Sequence, residues 1–115
     1  MGYIVHQRKV KKEFVHVEGC KDTYIQWLID EKVGAKNFAM RRFTVMPGGY
    51  TPLHRHPGEH EIYILRGKAL VRLGDEEYEV RAGHAIFIPS NELHQIKNVG
   101  DTPLIFLCMI GYERG

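Results

Sequence analysis

The stretch HRHPGEHE, residues 54–61, holds three of the seven histidines of this 115-residue chain. On a helix, His54 and His56 would point in nearly opposite directions, and Pro57 would break the helix in any case. On a β-strand, side chains alternate between two faces, so His54 and His56 share one face. A turn at Pro57 and Gly58 would then return the chain and place His60 near them. The stretch therefore predicts a strand and a turn that gather three imidazoles.

A fourth histidine, His94, lies near the start of the later apolar stretch LHQIKNV. Neutral imidazole is a good ligand for manganese, iron, nickel, copper and zinc. The alternative is that these histidines are polar residues at a strand end that face solvent or bond to backbone, and for one histidine that reading is preferable. For a cluster with a distant partner, we predict one divalent transition metal ion per subunit, held by His54, His56, His60 and His94.

The rest of the sequence predicts an all-β fold. Helical periodicity is nearly absent, and short runs of β-branched and aromatic residues are separated by turn residues. So many short strands favour a sandwich or barrel, because an antiparallel sheet must close or double over to hide its edges. One helical turn is possible at 30–37, although Gly34 weakens it. The predicted strands are 13–18, 23–29, 38–46, 61–67, 68–74, 76–83, 85–90, 93–99 and 103–110.

Length and composition restrict the class of protein. A chain of 115 residues can bury one core but not two, so we expect a single domain over 1–115. The two cysteines, Cys20 and Cys108, lie far apart and suggest neither a disulfide framework nor a cysteine-based zinc site. A net charge of +2 is too small to indicate nucleic-acid binding. No apolar run reaches signal-peptide or membrane-span length, so we expect a soluble cytoplasmic protein without a membrane partner.

Two motifs resemble those of the cupin superfamily. GGYTPLHRHPGEHEIYILRG, residues 48–67, is similar to the first cupin motif, and GHAIFIPSNELHQIKN, residues 83–98, is similar to the second. The resemblance covers about residues 38–112 and implies a jelly-roll β-barrel core there. Residues 1–37 would then be an N-terminal β arm that pairs with the barrel or with a second subunit.

The sequence departs from the cupin motif at its acidic ligand. Counting six residues back from Gly67 reaches His60, whereas Glu61 leaves only five. His60 is therefore the better fourth ligand and Glu61 should face the other way. Glu61 stays an alternative ligand, because the turn at Pro57 and Gly58 interrupts strict alternation. A second departure is Asn91 where the motif usually has glycine, but asparagine also tolerates left-handed backbone angles.

Four neutral ligands leave the full +2 charge on the ion, which makes it a stronger electrophile than a site with a carboxylate ligand. A six-coordinate ion would keep two positions open for water, dioxygen or a substrate. A tetrahedral zinc ion would be closed and inert.

Strand alternation and the cupin resemblance together suggest a cavity wall. Arg41 and Phe43 share one strand face, Phe106 and Cys108 share another, and in similar small cupins such faces look into the barrel. Arg41 would bind a substrate carboxylate, with a surface role as the equal alternative. Phe43, Phe106 and Trp27 are favoured as core packing over a substrate platform. Partners that orient the metal ligands are expected among Glu59, Glu92 and Gln95.

These features predict a homodimeric metal-binding cupin with a small-molecule ligand or substrate. The first hypothesis is a metalloenzyme, such as a dioxygenase or another oxidoreductase with a mononuclear four-histidine site. The alternative is a non-catalytic protein that binds a small ligand and has a structural metal. A transcriptional sensor is disfavoured, because the chain has no recognisable DNA-binding segment. Substrate and metal identity do not follow from the sequence, because a fold fixes a scaffold better than it fixes chemistry.

Overall fold

The structure is a computed structural model and describes residues 1–112. Within this range the chain forms nine β-strands and two short 3₁₀ turns, so the all-β prediction is confirmed. No helix in these residues is long and apolar enough to cross a membrane. The strands are β1 (Glu13–Phe14), β2 (Lys21–Ile29), β3 (Phe38–Tyr50), β4 (His60–Arg66), β5 (Lys68–Leu73), β6 (Glu76–Arg81), β7 (Ala85–Ile88), β8 (His94–Asn98) and β9 (Leu104–Gly111).

The strand expected through His54 and His56 is wrong, because only the single bridge of His54 to His94 forms there. Most strand ends differ from the prediction by one or two residues, and two differ by four. The strand predicted over 13–18 ends at Phe14, and the strand predicted to end at residue 46 continues to Tyr50. The continuation passes through Gly48, which adopts φ 82°, a left-handed angle that glycine reaches without strain. The predicted helical turn is a 3₁₀ turn at Glu31–Val33, which ends at Gly34 with φ 96°.

The strands pair antiparallel throughout, in the order β6-β5-β8-β3-β9-β4-β7. The long strand β3 has neighbours on both edges, since Phe43 pairs with Ile25 of β2 and with Phe106 of β9. Its far end reaches β8, where Tyr50 pairs with Lys97. Strand β3 therefore connects the N-terminal strands to both halves of the curled sheet.

The N-terminal strands extend the sheet of their own chain. Strand β2 runs along β3 from the Lys21–Tyr50 pair to the Ile29–Met40 pair, and β1 pairs with β2. Gln26 fastens the preceding segment, because its buried side-chain amide donates to the backbone oxygens of Gln7 at 2.8 Å and Val10 at 3.0 Å. The N-terminal arm was expected to pair with the barrel or with a second subunit, and in the structure it pairs with the barrel of its own chain.

Strand alternation decides which side chains enter the core. In β4, Ile62 and Ile64 are buried, whereas Glu61 and Tyr63 are exposed. His60 lies two residues before Ile62 and therefore shares its inner face. The buried residues that form the hydrophobic core are Val45, Ile62, Ile64, Ala69, Val71, Val80, Ile86, Ile88, Ile96, Leu104, Phe106 and Cys108.

Candidate metal centre

His54 and His94 are held together through their backbones. They form an isolated antiparallel bridge, in which the His54 N–H donates to the His94 oxygen at 3.2 Å and the His94 N–H donates to the His54 oxygen at 2.9 Å. The two ring centroids lie 4.8 Å apart. Backbone pairing therefore brings together two imidazoles that are far apart in the sequence.

His56 and His60 are brought together by the turn between them. Gly58 adopts φ 96°, and its N–H donates to Ser90 Oγ at 3.3 Å. His60 begins β4, and its Nε2 atom lies 2.9 Å from Nε2 of His56. The turn at Pro57 and Gly58 thus places the two rings in contact, by the route that the sequence suggests.

All four predicted ligands lie in one cluster. The centroids of contacting rings are 4.7 to 5.3 Å apart. The candidate ligand nitrogens of His54, His56 and His94 all lie within 4.8 Å of one another. His60 is outside this tighter set but contacts His56 directly. The arrangement is a three-histidine set with a fourth histidine against one of its members.

Backbone carbonyls orient two of the rings. Nδ1 of His56 lies 2.9 Å from the Pro57 oxygen, and Nδ1 of His94 lies 2.8 Å from the Glu92 oxygen. A carbonyl oxygen only accepts hydrogen bonds, so both Nδ1 atoms carry the hydrogen. Nε2 of His56 and of His94 then keeps the lone pair that a metal ion requires.

The side chains expected to orient the ligands do not do so. Glu92 contributes its backbone oxygen rather than its carboxylate. The Gln95 amide donates to the Thr51 oxygen at 2.9 Å, because strand alternation turns Gln95 away from the face of His94. Glu59 is exposed on the turn. The expectation overlooked backbone carbonyls, which have no signature in the sequence.

His60 has a different environment from the other three histidines. Its Nδ1 atom lies 3.1 Å from Cys108 Sγ and 3.4 Å from Nη2 of Arg41. Nη2 of Arg41 also donates to Cys108 Sγ at 3.0 Å. Cys108 is 2% exposed, so this thiol and guanidinium form the inner support of the His60 ring.

Three histidines of the cluster, His54, His60 and His94, favour their neutral forms in the metal-free protein. Burial, followed by the charge of Arg41, lowers the pKa of His60 from 6.5 to about 3. Burial also lowers the pKa of His54 and of His94, and the neighbouring histidines lower both further. Neutral imidazole is the form that binds metal, so these rings are available as ligands near neutral pH.

The donor set fits a divalent transition metal. Imidazole nitrogens suit divalent transition metals, and those of His54, His56 and His94 lie within 4.8 Å of one another. Lone pairs on His56 and His94 and the neutral state of the buried rings also suit an ion. His54, His56 and His94 are the residues that would hold it, with His60 beside them.

A cavity of about 430 Å³ opens onto the histidine cluster. The four residues proposed for substrate contact, Arg41, Phe43, Phe106 and Cys108, all lie on its wall. Phe106 serves both roles weighed for it, because it is 2% exposed in the core and stacks on Phe43 at 5.1 Å between ring centroids.

The structure contradicts the prediction that Trp27 packs in the core. Its side chain is 38% exposed, and it lies on the cavity wall. The register between β2 and β3 places Trp27 opposite Arg41, at the edge of the cavity rather than under the sheet.

The N-terminal arm supplies cavity residues that sequence reasoning missed. Glu13, Phe14, Val15, Val17 and Cys20 all line the cavity. The alternation in this segment indicates a strand but not which face meets the barrel. That face is set by the pairing of β1 with β2, which is a tertiary property.

The other histidines and Glu61 lie apart from the cluster. His84 Nδ1 lies 3.0 Å from both the N and the O of Arg81. His6 accepts from the Arg8 N–H at 3.1 Å, and the His16 ring packs on Phe14. Glu61 is exposed, on the face of β4 opposite His60. Glu61 thus faces away from His60, as the alternation of β4 predicts, and the other three histidines take no part in the cluster.

A curled antiparallel sheet with clustered histidines facing an inner cavity defines the class of small jelly-roll β-barrel proteins. The family model Cupin_2, described as a cupin domain, matches residues 41–110. The chain therefore belongs to the cupin family.

Solved structures show the same fold. The polyketide cyclase RemF from Streptomyces resistomycificus has a TM-score of 0.92 and 40% sequence identity, over 99% of this chain and 82% of RemF. A predicted oxalate decarboxylase from Thermotoga maritima has a TM-score of 0.85 and 30% identity, over 96% of this chain and 100% of that chain. The predicted cupin-type jelly roll is confirmed.

Similarity to curated proteins covers a shorter region. An oxalate-binding protein from Thermotoga maritima is 40% identical over 70 residues, which is 60% of this chain and 58% of that protein. The chain spans about half the length of the first curated relatives that it matches.

Proposed function

We propose that this protein is a metal-dependent enzyme that acts on a small organic molecule with an apolar body. The observation that carries the proposal is one cavity of about 430 Å³, whose wall includes both the histidine cluster and the aromatic side chains Trp27, Phe43 and Phe106. In ligand sites of this kind, an apolar wall holds the body of the ligand and a few polar groups fix its orientation. A metal site with a purely structural role needs no such cavity.

Carbonyl chemistry without net oxidation is the reaction class that we favour. Support comes from the polyketide cyclase RemF, which is 40% identical across 99% of this chain. A bound divalent ion would supply Lewis-acid polarisation of a carbonyl oxygen. The residues of this chain would bind the apolar body, limit access of water and hold the reacting end beside the histidine rings.

Two further candidates remain as proposals. A dioxygenase or other oxidoreductase is supported by the imidazole donors, which suit iron, copper and nickel as well as zinc. A non-catalytic ligand-binding protein is supported by the relative named as an oxalate-binding protein, which is 40% identical over 70 residues.

Elemental analysis of the protein purified without added metal is the first test. Stoichiometric retention of a divalent transition metal by the wild type, lost in His94→Ala, is the expected result. The metal-loaded protein is then mixed with benzoylacetone, a β-diketone with an aromatic body, in air and without oxygen. Protein-dependent deuterium exchange between the carbonyls in both conditions supports carbonyl chemistry.

The other outcomes select the other candidates. Oxygen uptake with loss of the diketone in air alone supports an oxygenase. Saturable binding without either reaction supports a ligand-binding protein. A wild type that retains no ion, even after incubation with zinc or iron, would contradict every metal-dependent version.

We also propose that the protein acts as a homodimer in the cytoplasm, without a nucleic-acid or membrane partner. The apolar side chains Ile4, Phe14 and Val17 of the N-terminal arm are 98%, 42% and 53% exposed, which supports a second copy covering them. Sedimentation velocity tests this part, since a single species at the chain mass of 13.3 kDa would contradict the dimer.

A further inference from the structure

Arg41 is a cation on the wall of an apolar cavity. Its guanidinium carbon lies 5.5 Å from the Trp27 ring centroid and 5.0 Å from the Phe43 ring centroid. Within residues 1–112, the ion pairs join Glu79 to Lys68 and Arg81, and Arg41 has no carboxylate partner. Aromatic faces attract a cation but do not neutralise it. The guanidinium of Arg41 therefore has no direct carboxylate partner among the described residues.

The guanidinium also has hydrogen-bond donors that the protein does not use. Nη2 is directed at Cys108 Sγ at 3.0 Å and lies 3.4 Å from His60 Nδ1. Nε is buried and has no hydrogen-bond partner among the described residues. Leaving a buried charged donor unpaired costs more than leaving a neutral donor unpaired. Nη1 also has no hydrogen-bond partner among the described residues and, unlike Nε, is not buried, so an acceptor from outside the chain can reach it.

The charge of the cavity favours an anion as that acceptor. Glu13 is the one carboxylate residue on the part of the wall that the structure describes, and it is exposed in the N-terminal arm. Arg41 and a divalent ion in the histidine cluster would together make the inner end strongly positive. Low-dielectric walls strengthen the attraction of such a site for an anion.

We infer that the cavity binds an organic carboxylate, with the carboxylate on Arg41 and the apolar body against Trp27 and Phe43. Any reaction of the bound carboxylate beside His60 rests on the proposed function. Binding of the carboxylate at Arg41 does not depend on the proposed function. A guanidinium N–H forms a charge-assisted hydrogen bond with a carboxylate, and the aromatic wall selects a ligand larger than a bare inorganic anion.

The test compares two ligands that differ in charge alone, 4-phenylbutyrate and its neutral amide, 4-phenylbutanamide. Trp27 is the single tryptophan of the chain and lies on the cavity wall, so its fluorescence reports occupancy without any turnover. Titrations use the zinc-loaded and the metal-free protein. In both forms, the wild type should bind the carboxylate about 10- to 100-fold more tightly than the amide, the range expected for hydrogen bonds to charged groups.

Two arginine variants isolate the contribution of Arg41. Arg41→Met keeps an unbranched side chain of similar reach and should bind both ligands equally. Arg42→Met is the matched control, because Arg42 lies next in the strand, donates to Gln26 Oε1 at 2.8 Å and is not on the cavity wall. Arg42→Met should keep the preference for the carboxylate. Circular dichroism of each variant verifies folding.

The results separate this inference from the proposed function. Equal binding of the two ligands by the wild type, no binding of either, or a preference that survives in Arg41→Met overturns the anion site. If Arg41→Met does not fold, the comparison of the two ligands in the wild type still tests whether the cavity prefers an anion. A preference that depends on Arg41 in a protein that retains no metal would support the anion site and overturn the metal-dependent function.

Discussion

His56 and His60 place their Nε2 atoms 2.9 Å apart, with the turn at Pro57 and Gly58 between them in the chain. In the metal-free protein one of these nitrogens must donate and the other accept. Because the Pro57 oxygen fixes the hydrogen of His56 on Nδ1, His60 Nε2 is the donor. His56 belongs to the three-histidine set that could hold a metal ion, and His60 contacts that set through this hydrogen bond.

The first prediction concerns retention of metal. His56→Ala and His94→Ala should each abolish stoichiometric metal binding, because each removes an imidazole whose lone pair the backbone has oriented. His84→Ala is the control, since His84 bonds to Arg81 away from the cluster. Elemental analysis of the three purified variants gives the answer. Equal metal content in all three would contradict the site.

The second prediction concerns the fourth histidine and its support. Cys108→Ala should weaken metal binding by about 10- to 100-fold, the usual cost of losing a group that orients a ligand, because Sγ contacts His60 Nδ1 at 3.1 Å. Cys108→Ser should restore part of the affinity, since a hydroxyl can replace the contact. Cys20→Ala is the matched control, because Cys20 is on the cavity wall but does not contact the rings. Competition with a chelator measures the affinities, and an unchanged affinity in Cys108→Ala would argue against this role.

The third prediction concerns pH in the metal-free protein. The pKa of His60 is lowered from 6.5 to about 3, so between these values the unfolded chain holds a proton that the folded protein lacks. The free energy of unfolding should therefore decrease as the pH falls from 6.5 towards 3, with no contribution from His60 above 6.5. Urea unfolding at several pH values measures this dependence.

A variant isolates the contribution of His60 to the pH dependence of the free energy of unfolding. His60→Leu should show a shallower fall in stability over the same pH range, by up to one proton, because the ring that must be charged is absent. His84→Leu provides the comparison, since His84 is exposed. Parallel pH profiles for the wild type and His60→Leu would exclude this explanation.

The fourth prediction concerns the strand that leads to the cluster. A Cβ atom at Gly49 would lie 2.7 Å from the Lys21 oxygen and 2.9 Å from the Met46 oxygen, both backbone atoms that cannot move aside alone. Gly49→Ala should lower the free energy of unfolding by about 1–3 kcal/mol. Gly2→Ala should be neutral, because a Cβ there meets nothing within 4 Å. Thermal and urea unfolding of both variants measure the difference.

An unchanged free energy of unfolding in Gly49→Ala would contradict this prediction. It would show that β2 and β3 can separate near Lys21 without cost, and that the close approach seen there is not needed for the fold.

Local sequence pattern was sufficient to predict much of the site. The spacing of the histidines predicted that His54, His56 and His60 gather, and their rings are in contact, although residues 54–56 form no strand beyond the single bridge of His54 to His94. The turn at Pro57 and Gly58 and the outward direction of Glu61 could be predicted because turn chemistry and strand periodicity act over a few residues.

The prediction failed where the deciding contacts are distant in sequence. Trp27 was assigned to the core, but its pairing with Arg41 puts it at the cavity edge. The groups that orient the histidine rings were predicted to be side chains, whereas Pro57 and Glu92 contact the rings through backbone oxygens. Backbone groups are identical in every residue, so a sequence pattern cannot reveal which of them a ring will meet.

The sequence by itself determined an all-β chain and the four histidines that meet in it, because strand periodicity and histidine spacing are local, and the cupin family entered through the resemblance of two motifs. Only the tertiary structure decided that Arg41 has no carboxylate partner among the described residues, that Cys108 contacts His60 and that the N-terminal arm lines the cavity. Those relationships depend on the register of β2, β3 and β9. Register is set by packing across the whole sheet, and a change of one residue would turn each of these side chains to the opposite face.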